Sequence, residues 1–187
     1  MENNIKMYAF AADGTEEAEL LTVVDLLKRA KIDVKIVTIN DSLEFTSSHK
    51  TVIKADLKIN DCDFSDGDIL FIPGGMPGSS NLSNCHKLIK LIDKYNNENK
   101  LITAICAAPA VVLGKHGYLD GKKATCYPGF ENLMSAAKYT TQGVVRDGNI
   151  ITSKGLGFAI DLGLEIIKTV KSYDDAIAIA EQIQYKR

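Results

Sequence analysis

Cys106 is the residue whose surroundings are least ordinary for its type. In Leu101-Ile-Thr-Ala-Ile-Cys106-Ala-Ala-Pro109 a buried-strand run gives way to a helix almost at once. Alanines flank the thiol at 104, 107 and 108, and Pro109 suits a first helical turn. A side chain held at a sharp strand-to-helix turn is crowded on both sides, so a nucleophile elbow needs small neighbours. The helix N-terminus adds positive potential and free N–H groups that favour thiolate over thiol. An unperturbed thiol, with a pKa of about 8.5, is only a few per cent ionised at neutral pH. Lowering it by about 3 units, worth roughly 4 kcal/mol, would make nearly all of it thiolate. The competing reading of Cys106 is a small buried hydrophobe.

Glu19 weighs against that reading. From Glu16 onward the helical stripe is Leu20, Val23, Val24 and Leu27, flanked by Leu26 and Ala30. At 100° per residue Glu19 projects between Leu26 and Ala30, on the buried side. A carboxylate there is costly unless it is paired or protonated, and a raised-pKa carboxyl beside a cysteine can exchange a proton with it. The alternative is a glutamate at the edge of the stripe, reaching to water. Glu16 and Glu17 are weaker candidates, since first-turn acids suit the helix dipole, and Asp13 with Glu16 reads as a capping box. Gly74-Gly75, after the apolar run Asp68–Ile72, lets backbone come close to a ligand and aim an N–H at a developing oxyanion; a plain turn is the other reading.

The elements that must position these residues alternate. Apolar runs at Ile5–Ala11, Val34–Ile39, Asp68–Ile72, Leu101–Ile105, Lys123–Cys126 and Ile150–Ser153 read as strands. Helix-period stretches fall at Glu16–Ala30, Gly78–Ser83, His86–Asn97, Ala107–Gly114, Phe158–Val170 and Asp174–Gln184. Thr46–Ile53 reads as a short hairpin outside the main sheet. Apolar strands separated by helices predict an α/β fold, a mostly parallel sheet covered on both faces. In such sheets ligands bind outside the carboxyl ends of the strands, where Glu19, Gly74-Gly75 and Cys106 all fall.

Composition narrows the function. The 187 residues suit a single domain spanning 1–187, and 45% hydrophobic content is enough for a substantial core. With 22 Lys+Arg against 24 Asp+Glu the net charge is −2, which argues against a nucleic-acid surface. No apolar stretch is long enough for a membrane span and Met1–Lys6 has no signal-peptide character, so a cytoplasmic protein with free thiols is expected. No His/Cys cluster has metal-ligand spacing, and no G-x-G-x-x-G or P-loop is present; no metal and no cofactor is called for. His86 and His116 sit in contexts that suggest surface positions, and Cys62 and Cys85 lie in polar surroundings with no sign of a role.

Four motifs in this order resemble the ThiJ/PfpI superfamily. They are Asp13-Gly-Thr-Glu-Glu-Ala-Glu19, Ile72-Pro-Gly-Gly75, Ala104-Ile-Cys106-Ala-Ala-Pro109 and Thr152-Ser-Lys-Gly-Leu-Gly157. The resemblance implies a flavodoxin-like α/β sandwich and a homodimer. It implies Cys106 as an oxidisable, low-pKa nucleophile bonded to a protonated Glu19. The amides of Gly75 and Ala107 become oxyanion donors, with Glu16 and Gly74 supporting. Tyr127 stands where many members have a histidine, and a tyrosine is a poor base at neutral pH, which weighs against a Cys-His peptidase. His49 replaces an arginine of the dimer-side pocket, while Arg29 is retained. A class I glutamine amidotransferase shares the elbow, but its late His-x-Glu pair is absent. A thiamine-thiazole role follows from no residue. Two functions fit. One is a cofactor-independent cysteine enzyme acting on a small reactive carbonyl, such as methylglyoxal converted to lactate through a hemithioacetal. The other is an oxidative-stress sensor or chaperone with an oxidisable cysteine.

Overall fold

The computed structural model describes residues 5–186. Eleven strands and five α-helices run in the order β1 (Lys6–Ala11), α1 (Glu17–Arg29), β2 (Asp33–Thr38), β3 (Glu44–Thr46), β4 (Val52–Lys54), β5 (Leu57–Lys58), β6 (Ile69–Ile72), α2 (Gly78–Ser83), α3 (His86–Asn97), β7 (Leu101–Ile105), β8 (Lys123–Ala124), β9 (Lys138–Tyr139), β10 (Val144–Asp147), β11 (Ile150–Ser153), α4 (Ala159–Val170) and α5 (Tyr173–Gln182).

Seven strands form one sheet in the order β10-β11-β7-β6-β1-β2-β5, parallel throughout except for β10, which pairs antiparallel with β11. Period-two alternation sends Met7, Ala9 and Ala11 to one face and Tyr8 and Phe10 to the other. Leu20, Val23 and Leu27 of α1 pack on the first face with Leu162 and Ile166 of α4. Leu88 and Ile92 of α3 cover the second, with Leu82 of α2. This is the expected α/β sandwich.

Several local expectations change. Lys123–Cys126 keeps only two strand residues, which pair with β9 outside the main sheet, because Thr125 N–H turns to Thr152 Oγ1 instead of a ladder. β10 joins the sheet through an Asp147-Gly148 turn, with Gly148 at φ +61°; that dipeptide is a hairpin signal and could have revealed it. The helix expected over Ala107–Gly114 forms a π-helical segment from Pro109 to Gly114, with Lys115 N–H donating to Ala110 O. The hairpin expected at Thr46–Ile53 is β3–β4, a separate two-stranded sheet. The Asp13–Glu16 capping box does not form. Asp13 Oδ1 accepts instead from Thr46 N–H at 2.7 Å, which ties this hairpin to the turn between β1 and α1.

Candidate active site

β7 delivers Cys106 to the carboxyl edge of the sheet with φ +65°, a left-handed conformation that costs a non-glycine residue on the order of 1–3 kcal/mol. The surroundings hold it there. Cys106 N–H donates to Ser153 O at 2.9 Å, and Cys106 O accepts from Tyr127 N–H at 2.7 Å. The chain cannot relax either bond without breaking the link between β7 and its neighbours. The side chain is half-buried, so it reaches the surface from an anchored backbone.

Glu19 comes to it from α1. Only 1% of Glu19 is exposed, as its place on the buried side of the helix predicts. Its Oε2 accepts from Gly74 N–H at 3.1 Å, and the carboxyl group also bonds the Cys106 thiol and the Leu156 amide. Gly74 is needed for this approach. A Cβ there would lie 2.5 Å from both Cys106 Cβ and Glu19 Oε2. Gly75, at φ +89°, turns the chain back so that Gly74 O accepts from Glu16 N–H at 3.0 Å. The amides of Ala107 and Gly75 lie close enough to the Cys106 sulfur to favour its thiolate.

The electrostatics couple the two acids. Burial pushes the Glu19 carboxyl up to about 7, and the nearby charge of Glu16 adds to the rise; its bonds to Cys106, Gly74 and Leu156 pull the other way. The Cys106 thiol is pushed up to about 12, by burial first and then by the charge of Glu19 and the hydrogen bond to it. The expected low-pKa thiol is therefore not what this pocket makes while Glu19 is ionised. Two of the causes raising the thiol require Glu19 to be a carboxylate and vanish when it is protonated. Burial, the largest cause, opposes the thiolate in either case, so the two acids titrate as one coupled pair whose shared proton rests mainly on sulfur once Glu19 is ionised.

The remaining candidates divide. Glu16 lies beside the pair through its backbone and its charge, while its carboxylate turns to Ser48. Tyr127 meets Cys106 through its amide, and its ring is half-exposed, edge-on to Phe130 at 6.5 Å. Arg29 pairs with Asp25 at 2.6 Å on its own helix, and His49 lies against Glu16 and Glu17. His86 and His116 are exposed. Leu156 was missed. Gly155-Leu156-Gly157 reads locally as a helix entry, and only the fold shows its middle amide reaching Glu19.

This arrangement of elbow, buried glutamate and glycine turn lies within a match to the DJ-1/PfpI family model over residues 5–169. The chain belongs to the DJ-1/PfpI family. It is 33% identical over 172 residues to protein dj-1beta of Drosophila melanogaster, covering 91% of each chain. It is 36% identical over 157 residues to DJ-1 homolog B of Arabidopsis thaliana, covering 84% of this chain and 36% of that one. The chain also spans 43% of the length of Arabidopsis DJ-1 homolog A. Among solved structures, oxidized DJ-1 of Toxoplasma gondii superposes with a TM-score of 0.95 at 33% identity, covering 98% of this chain and all of that one (100%). DJ-1beta of Drosophila gives 0.94 at 30% identity, with 98% and 100% covered.

Proposed function

We propose that this DJ-1/PfpI protein is a cofactor-independent cysteine enzyme acting on small reactive carbonyls, with methylglyoxal as the test substrate. The observation that carries the reading is the shared-proton pair. Cys106 sits at a constrained elbow against a 1%-exposed Glu19 that titrates near neutrality. The thiolate adds to the aldehyde carbon, and the oxyanion that forms is met by the Gly75 and Ala107 amides and becomes the hemithioacetal hydroxyl. Glu19 then moves a proton from the former aldehyde carbon to the adjacent carbonyl carbon, while the hemithioacetal hydroxyl proton passes to that carbonyl's oxygen, giving the lactoyl thioester. Water hydrolyses the thioester, releasing lactate and the thiol. An aldehyde is electrophilic enough to need no histidine base, which suits a site with Tyr127 in the histidine's place.

The deciding experiment is lactate formation from methylglyoxal by metal-free protein purified away from added thiols. Cys106→Ser should lower it by roughly 10³-fold or more; activity retained in that variant overturns the proposal. A second reading is redox sensing. It is favoured by the same half-buried sulfur beside Glu19 and by the likeness to oxidized DJ-1 of Toxoplasma gondii. In that case mild peroxide adds two oxygens to Cys106 alone by intact mass, and methylglyoxal is not turned over. A cytoplasmic homodimer is part of the proposal on the family resemblance. Sedimentation at twice the chain mass would support the dimer, and a monomer at micromolar concentration would remove it.

A further inference from the structure

Away from the thiol, two consecutive carboxylates converge on a histidine 32 residues later in the chain. Glu16 and Glu17 begin α1, and His49 lies on the turn between β3 and β4. The two segments are fastened by backbone bonds: Gly14 N–H to Thr46 O at 2.8 Å and Ser48 N–H to Thr15 O at 2.9 Å. The donors therefore stand on anchored chain. His49 Nδ1 is 3.4 Å from Glu16 Oε1 and 3.3 Å from Glu17 Oε2.

Both separations are longer than the most favourable hydrogen bonds, roughly 2.7–3.2 Å, although His49 Nδ1 and Glu17 Oε2 still share one. The two separations match the edge of a tetrahedron around a metal. Bonds of about 2.0–2.1 Å to nitrogen and oxygen set neighbouring ligands roughly 3.3 Å apart. The other carboxylate oxygens are occupied. Ser48 Oγ donates to Glu16 Oε2 at 2.8 Å, and Thr51 Oγ1 to Glu17 Oε1 at 3.4 Å. Ser48 Oγ also lies 3.2 Å from Glu17 Oε2. Glu16 Oε1 and Glu17 Oε2 both face the imidazole, and Ser48 Oγ, which donates to Glu17 Oε2, also lies 3.1 Å from His49 Nδ1. Charge points the same way: among the described residues no lysine or arginine pairs with either carboxylate.

We propose that Glu16, Glu17 and His49 form a binding site for one divalent transition-metal ion of the zinc class, with water completing the coordination. Three ligand atoms within 4.8 Å of one another, one imidazole nitrogen and two carboxylate oxygens, suit a borderline cation better than magnesium or calcium. The site adjoins the thiol pocket through Glu16, but metal binding there stands or falls without the carbonyl chemistry proposed above.

The test is equilibrium dialysis against Zn2+ at neutral pH. It uses protein carrying Cys62→Ser, Cys85→Ser and Cys106→Ser, so that no half-buried thiol competes. One zinc per chain is expected, weakened at least tenfold in both His49→Ala and Glu17→Gln. Co2+ added to the same protein should give a visible spectrum that His49→Ala abolishes. His49 is largely exposed, so its removal leaves folding intact, which the far-ultraviolet circular dichroism of the variant checks. Zinc bound with unchanged affinity by His49→Ala, or no zinc bound at all, overturns the site.

Discussion

The two ends of the central sheet handle their polar groups in opposite ways. At the amino end, Lys6 Nζ lies 2.6 Å from Asp66 Oδ2, and Tyr8 O–H donates to Asp66 Oδ1 at 2.6 Å. Bonds from Lys6 and Tyr8 hold Asp66 below the usual carboxylate range, while burial, with the bond to Asp66, pushes the Tyr8 phenol up to about 12. Cation, anion and phenol thus keep one protonation pattern across the physiological range. At the carboxyl end, Glu19 and Cys106 are both acids, facing backbone amides and each other. Opposite charges lock a site, whereas two acids competing for one proton near neutrality keep it reactive.

The largest break of that contrast is Glu19→Gln. It removes the group that shares the proton, and methylglyoxal turnover should fall about 10²–10⁴-fold. In the parent, alkylation of Cys106 by iodoacetamide should rise as pH passes about 7 and then level off. The variant should lose that step; a step that survives would show that Glu19 does not set it.

Stability should follow the same proton. The folded carboxyl is raised from 4.5 to about 7, so the native state holds the proton more tightly than the unfolded chain. The resulting stabilisation is complete below pH 4.5 and is lost as pH rises to about 7, by up to about 3 kcal/mol. Urea unfolding of the parent against Glu19→Gln, followed across that window, should show a difference that opens as pH rises, because only the parent acquires a buried charge. A difference independent of pH would contradict it.

Gly74→Ala should cost about 1–3 kcal/mol in thermal unfolding, since its Cβ would press on both Cys106 and Glu19, and Cys106 alkylation should slow with it. The smallest effect is expected at the other end. Asp66→Asn removes partly exposed pairing worth about 1 kcal/mol or less and should leave Cys106 alkylation unchanged at every pH. A changed profile there would mean that the two ends of the sheet are coupled.

Much of the fold was legible because its signals are local. Apolar runs without polar alternation marked β1, β2, β6, β7 and β11, and the wheel of α1 placed Glu19 inward before any partner was known. β8 was overextended because Thr125 spends its amide on a side chain of β11, a contact remote in sequence. β10 was missed because Val144-Val-Arg-Asp is short and ends in charge, even though Asp147-Gly148 marked its turn.

By itself the chain determined that Cys106 stands at a crowded strand-to-helix turn and that Glu19 is a carboxyl on an apolar stripe. Residue size and helical period are properties of neighbouring residues, so both could be read in order. The tertiary structure decided what those groups are to each other. It set Gly74 and Leu156 amides on Glu19, tied two titrations into one, and raised the thiol where a lowered one was expected. It also gathered Glu16, Glu17 and His49 across 32 residues. A pKa and a ligand set depend on distance through space and on the water excluded there. Those quantities exist only once the sheet has closed.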